Sequence, residues 1–136
     1  MVTLDAFKSN DYGDDGFRTC SVTGLRIHHT AENLVKAHGL TAVVALLLAG
    51  FFAFFVALTR WEVVGLLGPA EYYRYLSMHA WNALIFWMIF MEVAILYVGG
   101  AFVLGRRLSL PRLGKIGYAV MLLGAVWINV AIWVTS

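Results

Sequence analysis

The chain has 136 residues, 61% of them hydrophobic and 13% charged, with a mean hydropathy of +0.77. Those proportions belong to membrane proteins rather than to a soluble domain of this length. A net charge of +2 with no basic block interleaved with aromatics excludes nucleic acid as a partner, and a single cysteine, Cys20, excludes an intrachain disulfide and CxxC motifs.

Residues 1–36 form a polar N-terminal tail carrying Asp5, Asp11, Asp14 and Asp15. A secretory signal needs a basic start and an early apolar core, so this is not one, and the first apolar segment is expected to serve as an uncleaved signal anchor. Cys20 reads as a bystander thiol of the tail. His28 and His29 resemble a metal pair only superficially, because neighbours on a helix point apart and no third ligand lies near in sequence.

Residues 37–136 then hold three apolar segments, at about 37–59, 76–104 and 116–134. Each meets the requirement of about 20 apolar residues for a bilayer span, and backbone groups in lipid must be satisfied within the segment, so helices are expected. The fold class is all-α: an integral membrane protein of three transmembrane helices. The first segment opens with His38 and Gly39 and ends at Arg60-Trp61-Glu62, a pair of charges and an aromatic suited to the headgroup layer. Its Phe51, Phe52, Phe54 and Phe55 read as lipid and helix packing.

The loops are short. Pro69 suits a first helical position, where its missing N–H costs nothing, and Glu71 suits the positive helix end. Ser109-Leu-Pro111 gives a similar start to the third helix. Lys and Arg gather in the tail flank (Arg26, Lys36) and the second loop (Arg106, Arg107, Arg112, Lys115), whereas the first loop holds Arg60 and Arg74. The charge rule therefore predicts a cytoplasmic N-terminus and second loop, with the first loop and C-terminus outside.

His79 stands out within the second segment. An ionisable group in a bilayer helix usually faces protein, water or a cofactor, and a neutral imidazole nitrogen can bind haem iron. The bland alternative is an interfacial histidine hydrogen-bonded to a neighbour. Asn82, Ala83, Phe86 and Phe90 lie at helical spacing from it, giving a face that suits either a flat macrocycle or ordinary helix contacts. Glu92 is the one formal charge inside the span; helix packing and a proton relay are its two readings. Asn129 reads as an interhelical hydrogen-bond donor.

The run Leu66-Leu67-Gly68-Pro69-Ala-Glu71-Tyr72-Tyr73-Arg-Tyr-Leu-Ser-Met78-His79, followed by Asn82-Ala-Leu-Ile-Phe86, resembles the start of subunit I of the haem-copper oxidases, the cytochrome c oxidase family. The resemblance is best from the first loop through the second span. It implies that His79 is an axial ligand of a low-spin haem, that copper and a second haem belong to the complete enzyme, and that the chain is an N-terminal piece of such a subunit. It further implies a component of aerobic respiratory electron transfer in the cytoplasmic membrane of a prokaryote. The implied partners are membrane lipid, the remaining oxidase helices and subunits, and an electron donor such as cytochrome c, a copper protein or quinol. The chain departs from the family in stopping after three spans, without the opposite haem ligand or the histidines of the oxygen-reducing centre. His38 is expected at the membrane face opposite His79, too far to share one iron. A nitric oxide reductase-like subunit and a non-catalytic three-helix anchor or assembly subunit are the alternatives.

Overall fold

A computed structural model of the protein describes residues 12–135, so Asp5 and Asp11 of the predicted tail lie outside the described residues. Strands β1 (Phe17–Thr19) and β2 (Arg26–His28) pair antiparallel, with Arg18 opposite Ile27. Helix α1 (His29–Arg60) follows directly. Helix α2 (Pro69–Val103) contains two π-helical stretches, Trp81–Phe86 and Val98–Val103, and helix α3 is Pro111–Thr135. All three helices are long and apolar enough to cross a membrane, and large apolar side chains such as Leu47, Leu96 and Leu123 stand exposed on them, as a lipid-facing surface requires.

The tail is more ordered than its polar composition announces. Gly24 takes a positive φ of 68° in the turn between the strands. At Gly16 (φ 76°) an added Cβ would sit 3.0 Å from the His28 ring and 3.1 Å from that of His29. The hairpin is tied to α1 through Glu32, only 5% exposed, whose carboxylate accepts from Arg18 (2.7 and 2.8 Å) and Tyr12 (2.7 Å) and pairs with Lys36 (2.6 Å). A carboxylate this buried needs such a set of donors. Burial, with Glu32 second, pushes the Tyr12 hydroxyl above its ordinary pKa, and the bond to Glu32 holds Arg18 charged more firmly still.

Helix α1 starts at His29, well ahead of the apolar segment at 37, because His28 caps it. The His28 ring accepts from the Thr30 N–H at 3.3 Å. The two adjacent histidines do not point apart. His28 ends β2 and His29 opens α1, so the pair spans a strand–helix junction, and their ring centroids are 4.4 Å apart. Burial, followed by the His29 and Arg107 charges, lowers the His28 pKa, which favours the neutral, accepting ring that the cap needs.

The second loop meets the hairpin. Arg107 donates to the Asp15 carbonyl at 2.7 Å and lies over the Phe17 ring at 5.6 Å, while Arg26 covers the same ring at 4.8 Å. Tail and second loop therefore share one end of the bundle, as the charge pattern implied; which side of a membrane that end faces belongs to the proposal below.

The core is a seam between α1 and α2. Ala31, Leu34, His38, Ala42, Ala45, Ala49 and Phe52 are buried on one stripe of α1, and Met78, Asn82, Phe86, Phe90 and Ala94 face them from α2. Small residues on one helix let the backbones approach, and large ones on the other fill the space, which is how helices associate without a hydrophobic drive in lipid. Helix α3 sits outside this pair and buries only Ala125 of its apolar residues. At Gly114 it comes so near that a Cβ would fall 2.9 Å from both Leu34 and the Tyr97 hydroxyl.

Candidate functional site

His79 lies on α2 just before its first π-helical stretch, half-buried, with Nδ1 3.0 Å from the Ala49 carbonyl oxygen of α1. A carbonyl can only accept, so Nδ1 carries the hydrogen and donates. A helical carbonyl has a second lone pair free for this. The tautomer is thereby set, and Nε2 keeps its lone pair. Metal-binding imidazoles are oriented in this manner, through a hydrogen bond from the nitrogen that does not bind.

No group of three or more His, Cys, Asp or Glu able to hold a metal ion occurs among the described residues. One tethered imidazole is too little for a bare ion. A single imidazole nitrogen is what a haem iron would ask of one helix.

The face at helical spacing from His79 is filled by protein. Asn82 (2% exposed) donates to Asn129 Oδ1 at 2.7 Å and to the Met78 carbonyl at 2.8 Å. Phe86 and Phe90 join Ala42, Ala45 and Ala125 in the core. The cavity left there, bordered by Thr41, Ala45, Asn82 and Asn129, holds about 220 Å³, below the usual size of a ligand pocket. This face therefore packs helices. Asn129 does bridge two helices, but as the acceptor from Asn82; its own N–H groups serve the Ala125 carbonyl.

Aromatic side chains close the bundle at the end that leads to the first loop. Phe52, Tyr75 and Trp133 meet edge-on or tilted at centroid distances of 5.4 to 6.3 Å, and the Arg74 guanidinium lies 5.5 Å from the Trp133 ring. Amphipathic rings and a cation are what a headgroup layer selects.

Glu92 is exposed on the outer side of α2, and no helix among the described residues covers it. A carboxyl group there calls for a polar or charged neighbour outside the described residues.

A second histidine, expected at the membrane face, lies in the helix seam. His38 is 1% exposed, donates from Nδ1 to the Leu34 carbonyl at 2.8 Å, and is surrounded by Phe90, Tyr97 and Tyr118 at ring distances of 5.9, 5.6 and 4.9 Å. Thr41 and the Tyr118 hydroxyl share a 2.8 Å hydrogen bond beside it. The signal was present: His38 continues the stripe of Ala31, Ala42, Ala45 and Ala49, so it belongs to the seam and not to the headgroup layer. His79 meets α1 eleven residues further along, at Ala49, about 16 Å at 1.5 Å per residue. That separation leaves the two rings too far apart to share an iron.

No protein family, curated protein or solved structure matches the chain closely enough to establish a relationship.

Proposed function

We propose that the chain is the N-terminal, three-helix portion of a haem-copper oxidase subunit I, and that His79 Nε2 is an axial ligand of its low-spin haem. One observation carries this reading: the Ala49 carbonyl holds the Nδ1 hydrogen and leaves the other nitrogen as a fixed donor. The loop and helix that resemble the family end on the same residue. His38 is bound into the α1–α2 seam, so a second iron ligand would have to come from another helix. The haem supplies electron transfer when bound; this chain's part is to hold one iron ligand in a set orientation.

On this reading the protein lies in the cytoplasmic membrane of a prokaryote with the hairpin end inside, beside the remaining oxidase subunits. The complete enzyme carries copper and a second haem and takes electrons from an external donor. The experiment is a reduced-minus-oxidised spectrum of the intact complex containing this chain, with His79→Ala beside wild type. Loss of the low-spin haem band with the complex still assembled is the expected result. An unpigmented wild-type complex refutes the reading and leaves the anchor subunit. Turnover with nitric oxide but not oxygen moves the assignment to the reductase.

A further inference from the structure

Two adjacent histidines occupy the junction between β2 and α1, and three hydrogen bonds fix how each ring is used. The Thr30 backbone N–H donates to His28 Nδ1 at 3.3 Å. In the His29 ring, Nδ1 lies 3.4 Å from the Gly16 carbonyl, which can only accept, so this nitrogen donates. Nε2 of His29 then accepts from the Thr30 hydroxyl at 3.2 Å. All three bonds are made by neutral imidazoles, one an acceptor and the other both donor and acceptor. The Gly16 carbonyl also receives the His29 backbone N–H at 3.1 Å, so the turn before β1 closes on the same point.

A proton alters the two rings unequally. The Thr30 hydroxyl can rotate and accept from a charged His29, but the Thr30 backbone N–H cannot turn. An imidazolium at His28 faces it donor to donor, and the cap of α1 is lost. The surroundings disfavour that charge further. His28 stands at the positive end of α1, 4.4 Å from the His29 ring, and meets Phe17 edge-on at 5.0 Å, the ring over which Arg26 and Arg107 lie. Asp15 opposes them and accepts from Arg26 at 2.8 Å. Tyr12 faces His29 at 5.7 Å, and Arg18, Glu32 and Lys36 complete the charged set, bound to one another. With the His28 pKa lowered by burial first, its contribution is complete above about pH 6.5 and is lost as the pH falls from there through the lowered value.

We propose that this junction is a proton-operated latch: acidification of the compartment that the hairpin faces charges His28, uncaps α1 and loosens the hairpin from the helix end. Strand β1 moves with it, because Phe17 pairs with His28 in the ladder and packs on its ring. The Arg18–Glu32 pair and the bond from Arg107 to the Asp15 carbonyl do not involve the histidines. They restrain the loosened hairpin and let it reseat when the proton leaves. His28 is half-buried and His29 exposed, so protons reach the pair from water without the bundle opening. The latch stands independently of whether His79 holds a haem.

The test places the full chain in lipid nanodiscs with nitroxides on the native Cys20 and on Ala119→Cys, an exposed position of α3, and measures their dipolar distance from about pH 7.5 to about pH 5. One narrow distance is expected at the upper end. A broad second population should grow below about pH 6.5, by up to about tenfold per pH unit for each proton taken up. The ¹⁵N shifts of His28 should titrate with the same midpoint. His28→Asn, whose side-chain oxygen caps a helix and does not titrate, should keep the narrow distance throughout. His28→Lys, charged and without an acceptor, should show the broad population even at about pH 7.5. Circular dichroism checks the fold of both variants; if neither folds, the coincidence of the two wild-type midpoints decides. A wild-type distance unchanged to about pH 5, an undiminished transition in His28→Asn, a narrow distance in His28→Lys, or two different midpoints overturns the proposal.

Discussion

His38 and His79 are two imidazoles in one bundle, each donating Nδ1–H to a helical carbonyl, yet they are held in different ways. His38 bonds back to Leu34 on its own helix and is walled by three aromatic rings. His79 reaches across to Ala49 on the neighbouring helix and stays half-exposed. An intrahelical bond survives any shift between helices; a bond across the seam does not. His38 is thus a part of the packing that happens to border a cavity, while the orientation of His79 depends on the register of α1 against α2.

That contrast can be broken most severely at Phe90, which packs in the seam near His38. Phe90→Ala should cost about 3 kcal/mol, as large-to-small core changes do, read as an earlier unfolding midpoint in a detergent titration of the chain. Because the helix register would loosen, His79 should lose its fixed tautomer as well, visible in ¹⁵N imidazole spectra. A stable variant with an unchanged His79 signal would uncouple the two ends.

A smaller effect sharpens the comparison from the other side. Asn129→Leu removes the acceptor of Asn82 but leaves the Asn82 bond to Met78. Interhelical hydrogen bonds in membranes average about 0.6 kcal/mol, so a loss of that order is expected in the same titration. Helix α3 should loosen while the bond of His38 within α1 and that of His79 across to Ala49 persist.

The smallest change concerns neither histidine. Hydrogen bonds from the Thr23 hydroxyl, first, and from backbone N–H groups lower the Cys20 thiol to a pKa of about 7. The thiolate is the reactive form, so alkylation should reach half its maximal rate near that pH and plateau about one unit higher. Thr23→Val should move the midpoint upward with no effect on helix content. A midpoint at the ordinary thiol value in the wild-type chain would contradict the turn geometry.

The three helices were legible because length and apolarity alone specify a bilayer span, and Pro69 does open α2 as its chemistry requires. The hairpin was not, because its strands are three residues each and their stability comes from Glu32, Arg18 and Arg107, distant in sequence. The π-helical stretches were equally hidden, since their cause is a backbone adjustment within uniform apolar sequence. Of the site, His79 was visible as a lone ionisable group in a span. Its tether was not, because the acceptor is a backbone atom of an alanine thirty residues away. His38 was read as a membrane-edge residue because it opens the apolar run, when the periodicity of the alanines around it already marked the buried stripe.

The contact from Arg107 to Asp15 carries a consequence for biogenesis. Residues 92 apart in sequence meet across it, so the latch cannot form until the loop after α2 has been delivered to the side where the hairpin waits. An α2 inserted upside down would strand that arginine on the far leaflet and leave the first strand open to protease. Trypsin resistance at Arg18 and Arg26 during translation into microsomes or inverted vesicles would therefore time-stamp correct threading of the chain.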